Sequence, residues 1–179
     1  MSAIALIIID MLNPYEHEDA DRLAGSVEKV VEPLADLLTR ARDRDDIRVL
    51  YVNDNYGDFS ATRDDIVAQA LRGRRPDLVE PIRPTAECAF LPKVRHSAFY
   101  GTSLEYLLLR EEIGQVVLAG QVTEQCVLYS ALDAYVRHLS ITVPRDAVAH
   151  IDPDLGDAAL RMMERNMRAR IATTADCLP

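Results

Sequence analysis

At 179 residues, with 49% hydrophobic side chains and a net charge of −9, the chain has the length of one domain (1–179) built around a single substantial core. The 29 acidic residues outnumber the 20 basic ones, and no basic stripe with interleaved aromatics occurs, which argues against nucleic acid or an anionic membrane as a partner. Three cysteines at unpatterned spacings suggest neither a disulfide framework nor a zinc site, and the N-terminus lacks a charged leader, so a reduced, cytoplasmic protein is expected.

The first element is the run Ile4-Ala5-Leu6-Ile7-Ile8-Ile9, too short to cross a membrane and suited to a strand buried on both faces; it stops at Asp10. Val27, Val30, Val31, Leu34, Leu37, Leu38 and Ala41 then recur at helical spacing, with Pro33 inside the pattern, where it must kink or restart the helix. Residues 47 to 52 read as the second strand. The polar stretch 53 to 87 reads as loops with one helix around Asp64 to Arg72. A short third strand near Cys88 to Leu91 leads into Lys93, and Thr102-Ser103-Leu104-Glu105 has the spacing of a capping box opening a helix through about Glu112. Gln115 to Ala119 is the fourth strand, Glu124 to His138 a helix, and Ser140 to Val143 the fifth strand. Asp152-Pro153 opens the last helix, with Asp as cap and Pro at the first position, and a final strand lies near Arg170 to Thr173. Strands alternating with helices predict an α/β fold: a three-layer αβα domain with a mostly parallel, Rossmann-like sheet of about six strands.

Candidate chemistry lies where strands end. Cys126 follows a hydrophobic run and a glycine, near the start of a helix. With Thr123 as the N-cap it falls in the first turn, where the helix dipole favours a thiolate. Asp10 closes the first strand at the edge where open parallel sheets bind ligands. Taken singly, each has a plain structural reading: free cysteine is among the most buried residue types, a strand-end Asp often caps a turn, and Lys93 is the kind of residue usually found in solvent.

Taken together, Asp10-Met11 after a hydrophobic strand, Lys93 shortly before Ser97-Ala98-Phe99, and the Gly120 to Val127 stretch Gly-x-x-Thr-x-x-Cys-Val resemble the isochorismatase-like cysteine hydrolases, a superfamily that includes nicotinamidases and N-carbamoylsarcosine amidohydrolases. The resemblance runs in order from residue 4 to about residue 150. It implies a catalytic triad of Asp10, Lys93 and Cys126. It also implies an oxyanion hole of backbone N–H groups from Val122 and Cys126, with a cis peptide between Gln121 and Val122. Chemically, Cys126 is the nucleophile and Asp10 the proton carrier, and Lys93 supplies charge beside both.

Departures from the family narrow the expectation. Nicotinamidases carry an Asp-x-His metal-binding element after the second strand, whereas this chain reads Asn53-Asp54-Asn55-Tyr56-Gly57-Asp58 there. His17, His96, His138 and His150 are scattered without ligand spacing, so neither metal nor any other cofactor is expected. Leu12 and Pro14-Tyr15 replace the more polar residues usual at the pocket mouth. Asn55, Tyr56, Phe99 and Tyr100 are candidates for the substrate pocket, or for a subunit interface. His96 reads as a solvated loop histidine, and Cys88 and Cys177 as structural. No Gly-rich dinucleotide fingerprint follows the first strand.

The leading expectation is a metal-independent cysteine hydrolase cleaving a C–N bond of a small amide or carbamoyl substrate through a thioester. Two alternatives stand beside it: an isochorismate-type vinyl ether hydrolase using Asp10 as acid, and a non-enzymatic small-molecule-binding protein. The expected partners are a small-molecule substrate and further copies of the chain, as a dimer or tetramer.

Overall fold

The computed structural model describes residues 4–179. Strand β1 (Ile4–Ile9) is buried along its whole length, and its side chains divide by parity: Ile4, Leu6 and Ile8 enter one core cluster, Ala5, Ile7 and Ile9 the other. A strand covered on both faces has no need of polar alternation, which is why this run is uniformly aliphatic.

The remaining strands are β2 (Ile47–Asp54), β3 (Ala89–Lys93), β4 (Gln115–Gln121), β5 (Ser140–Pro144), β6 (Val148–Ala149) and β7 (Arg170–Ala172). They form a seven-stranded sheet in the order β3-β2-β1-β4-β5-β7, with β6 paired to β4, and all its pairings are parallel. Helices α1 (Ala20–Val27), α2 (Val31–Arg42), α3 (Arg63–Arg72) and α4 (Pro76–Val79) cover one face. Helices α5 (Leu104–Arg110), α6 (Leu128–Val136) and α7 (Pro153–Met167) cover the other. The architecture is the expected three-layer α/β fold.

Several local expectations are corrected. The helical pattern from Val27 to Ala41 is two helices, with a break at residues 28–30. Pro33 lies in the first turn of α2, where its missing N–H leaves no intrahelical bond unmade. The stretch 53–87 holds α4 and a 3₁₀ turn (Glu80–Ile82) besides α3. The box at Thr102 does not form: α5 starts from Ser103, whose side chain makes no cap bond, while the Thr102 hydroxyl donates to the Ala98 carbonyl at 2.6 Å and accepts the Leu104 N–H at 3.2 Å. β6 is the additional strand. Asp152 does cap α7, accepting from the N–H groups of Asp154 and Leu155.

Candidate active site

The carboxyl-terminal ends of four neighbouring strands, β3, β2, β1 and β4, build the site. β2 pairs with β1 and β3, and β4 flanks β1 on its other side, so residues just past β1 and β4 meet the end of β3. Asp10 leaves β1 with φ +54°, a left-handed conformation that Asp tolerates better than most residues. Its Oδ1 accepts the Asp54 N–H at 2.8 Å, and its Oδ2 lies 2.8 Å from Lys93 Nζ. Lys93, only 1% exposed, is therefore not the solvated lysine of the plain reading. Its Nζ is also 3.7 Å from Asp54 Oδ2 and 3.8 Å from Cys126 Sγ.

Cys126 comes from a wide turn, Thr123–Val127, of π type: the Val122 carbonyl accepts both Gln125 N–H (3.0 Å) and Val127 N–H (3.1 Å). Short π segments of this kind recur at functional sites. Val122, not Thr123, occupies the cap position, and the Thr123 hydroxyl is buried without a hydrogen-bond partner. Ahead of the turn, Gly120 has φ +118°, and a Cβ there would lie 2.2 Å from the Ile9 carbonyl oxygen. Only glycine allows β4 to approach β1 this closely. The Gln121–Val122 peptide is cis. Gln121 is buried; its Nε2 donates to the Asp10 carbonyl at 2.7 Å, and the Tyr15 hydroxyl reaches its Oε1 at 3.5 Å.

Electrostatics separate the three groups. Burial raises the Asp10 carboxyl above its ordinary range, although Lys93 pulls the other way. Burial alone would lower the Lys93 ammonium, but the negative charge of Asp10, then Cys126 and Asp54, outweighs it and the net shift is upward. The Cys126 thiol is pushed up to about 12, first by burial and then by the Asp10 charge, with Lys93 opposing. The resting sulfur is thus a neutral thiol. The expected stabilisation of a standing thiolate by the start of a helix is overridden by desolvation, and ionisation has to accompany proton transfer.

The other named residues divide. Asn55 is buried beside Lys93, donating its N–H to the Lys93 carbonyl (2.9 Å) and accepting from the Gly57 N–H. Tyr56 donates its hydroxyl to the Leu12 carbonyl at 2.7 Å. Phe99 turns away into the α5–α6 core, its ring under the Arg137 guanidinium at 4.9 Å, and Tyr100 is 62% exposed.

Four further residues contribute to the arrangement, three of which the sequence did not single out. Asp54 ends β2 as Asp10 ends β1, and that strand-end position is the signal that could have found it. Ser130, one turn beyond Cys126, donates to the Cys126 carbonyl at 2.6 Å and accepts the Ala98 N–H at 2.9 Å, pinning the Ser-Ala-Phe segment to the Cys126 turn. Glu124 Oε1 accepts the N–H groups of Ile151 and Asp152, both at 2.9 Å, and so ties the start of α7 to that turn. His96 is exposed as expected, yet its Nδ1 lies 4.0 Å from Cys126 Sγ. Among the described residues, no three His, Cys, Asp or Glu side chains gather as a metal-ligand set.

Residues 4–176 match the isochorismatase domain family. The chain belongs to that family. It is 36% identical to YaaI, an uncharacterized isochorismatase family protein of Bacillus subtilis, over 94% of this chain and 93% of that one. It is 32% identical to a maleamate amidohydrolase of Pseudomonas putida, over 83% of this chain and 74% of the relative. Among solved structures, the N-carbamoylsarcosine amidase of Thermoplasma acidophilum superposes with a TM-score of 0.77 at 29% identity, covering 99% of both chains. Membership places the chain among hydrolases, and these relatives include enzymes that act on amides.

Proposed function

We propose that the chain is a metal-independent cysteine amidohydrolase that cleaves a C–N bond of a small amide or carbamoyl substrate through a thioester on Cys126. The observation that carries this reading is the buried chain of contacts from Asp10 Oδ2 to Lys93 Nζ (2.8 Å) and on to Cys126 Sγ (3.8 Å), at the edge where parallel sheets place their ligands.

In the first half-reaction the Cys126 proton passes to Asp10 as the sulfur attacks the carbonyl carbon. A thiol held at about 12 is a strong nucleophile once deprotonated, and Asp10, raised by burial, is a better proton acceptor than an ordinary carboxylate. Lys93 offsets the charge on whichever of the two is ionised. The backbone N–H groups of Val122 and Cys126 are assigned to the oxyanion. As the C–N bond breaks, Asp10 returns the proton to the departing nitrogen, and water then releases the acyl group from sulfur. The reading as metal-independent rests on the donors present at the end of β2: Asn53 is spent on the N–H and carbonyl of Leu12, and Asn55, just beyond it, on Gly57.

The upward shift of Asp10 also suits an acid catalyst for vinyl ether hydrolysis, the second reading, although that chemistry gives Cys126 no task. Ammonia release from a panel including maleamate, N-carbamoylsarcosine and nicotinamide, with Cys126→Ala as control, tests the first reading. Cleavage of isochorismate by wild type and Cys126→Ala alike would favour the second.

Assembly into a homo-oligomer, dimer or tetramer, is part of the proposal. Leu132 and Val136 of α6, with Leu155 and Met162 of α7, leave apolar surface exposed on two helices packed side by side. Sedimentation equilibrium reads the stoichiometry directly.

A further inference from the structure

One more titratable group reaches the nucleophile, and the mechanism above does not use it. His96 has φ +27°, and its ring meets the Tyr129 ring edge-on, with centroids 5.5 Å apart and planes at 74°. The residues that follow are fastened to α6: Ser97 Oγ donates to Asp133 Oδ2 at 2.5 Å, and the Ala98 N–H donates to Ser130 Oγ. Asp133 is held in turn by Arg137 at 2.6 Å. The imidazole is therefore placed by a hydrogen-bonded tether and an aromatic contact, and its Nδ1 sits 4.0 Å from Cys126 Sγ.

The groups around the sulfur differ in how committed they are. Asp10 is buried, with one carboxylate oxygen on the Asp54 N–H and the other on Lys93. Lys93 is buried between Asp10, Asp54 and Cys126. His96 alone of these is open to solvent, the side from which water must come.

Resting on the reading of Cys126 as nucleophile, we infer that His96 is a second catalytic residue, the base that deprotonates water when the thioester is hydrolysed. The half-reactions then use different proton carriers. In acylation the thiol proton travels through Asp10 and leaves on the amine, so Asp10 ends ionised against Lys93. In deacylation the water oxygen bonds to the thioester carbon while its proton goes to His96. The C–S bond then breaks, and the imidazolium returns that proton to the sulfur, restoring the neutral thiol that burial favours. Water is consumed, a carboxylic acid is released, and no other reactant is required.

The step can be isolated with 4-nitrophenyl acetate, an activated acyl donor whose leaving group needs no protonation. Wild type, His96→Gln and His96→Asn are acetylated, freed of reagent, and followed by mass spectrometry for loss of the acetyl group. The expected result is deacylation slowed on the order of 10²-fold in both variants, the scale of a general base. Hydroxylamine, a stronger nucleophile than water, should restore rapid release. Wild-type rates of acetyl loss in the His96 variants, with Cys126 acetylated normally, overturn the inference and leave Asp10 as base for both halves. Cys126→Ala acquiring the same adduct, or wild type acquiring none, would remove the nucleophile itself and the proposed function with it. Because His96 is exposed, both substitutions leave the core untouched, and matching melting curves check this.

Discussion

The side-chain amide of Gln121 donates to the main-chain carbonyl of Asp10 at 2.7 Å, so the last residue of β4 holds the backbone that carries the Asp10 carboxylate. Asp10 sits at positive φ, and its buried carbonyl is met by the Gln121 amide. Gln121→Ala should leave that oxygen unsatisfied at about 1–3 kcal/mol of stability. Turnover should fall by roughly 10- to 10²-fold, as expected for a small misplacement of a reacting group. Thermal melts and steady-state rates check both; an unchanged kcat would show that Asp10 is aimed without this bond.

Removing the Asp10 charge separates reactivity from catalysis. The carboxylate raises the Cys126 pKa, so Asp10→Asn should bring the thiol below about 12. Iodoacetamide should then label Cys126 faster than wild type at pH 8 to 9 while amide hydrolysis is lost. In the wild type, whose thiol is held well above its ordinary value of 9.0, labelling should be slow near neutrality and climb as pH rises toward 12. Slower labelling in Asp10→Asn would mean that the carboxylate promotes the thiolate even at rest.

Lys93→Met strands Asp10 without its cation. Breaking a buried ion pair from one side costs about 3–5 kcal/mol when the remaining charge persists. Here the loss should be smaller at pH 5 than at pH 8. Asp10, already shifted upward, can take a proton at the lower pH, and the charge it would otherwise bury disappears. Denaturant titrations at the two pH values measure the difference; an equal loss at both would place the cost in packing instead.

Two glycines give opposite forecasts. Gly120→Ala would set a Cβ 2.2 Å from the Ile9 carbonyl oxygen at φ +118°, forcing β1 and β4 apart directly beneath the site, and should yield little folded protein. Gly114→Ala meets nothing within 4 Å and should melt within a few degrees of wild type. Soluble yield and melting temperature distinguish them.

Ser130→Ala removes the bridge between the Ala98 N–H and the Cys126 carbonyl. A loss of about 1–3 kcal/mol is expected from the orphaned N–H. Deacetylation of Cys126 should slow as well, because the segment carrying His96 loses its tether. Stability without any change in that rate would make the bridge purely structural.

How much of this could be read beforehand varied with the range of the forces involved. β1 was legible because burial on both faces leaves an unbroken aliphatic run. The restart of a helix at Pro33 follows from a missing N–H. The resemblance gave Asp10, Lys93 and Cys126 as a set, and the parallel register brings them into contact. β6 was not legible: its two residues are a strand only because Gly120 and Gln121 of β4 lie beside them. Thr123 looked like a cap, but the Val122 carbonyl starts the turn in its place. Thr102 donates its hydroxyl to the Ala98 carbonyl and accepts the Leu104 N–H, so it steadies the start of α5 without forming the box. Phe99 read as a loop aromatic and is a core residue, because Arg137 and α5 close over it. His96 was correctly read as exposed; its nearness to sulfur depends on the distant anchors Ser130 and Asp133, which no local spacing encodes.

The parallel register also sets where the chain can tolerate insertions and deletions. Asp10 follows directly on β1, with Ile9 opposite Gly120; Cys126 lies in the turn just beyond β4, and Lys93 is paired with Asp54. One residue lost inside β1 would pull Asp10 back by about 3.3 Å and turn alternate side chains toward the wrong layer. A residue lost or gained at 16–18 or 57–60 leaves those pairings untouched. Length variation among related chains should therefore gather in such loops, while the spacing of the Asp10 carboxylate, the Lys93 ammonium and the Cys126 sulfur stays fixed.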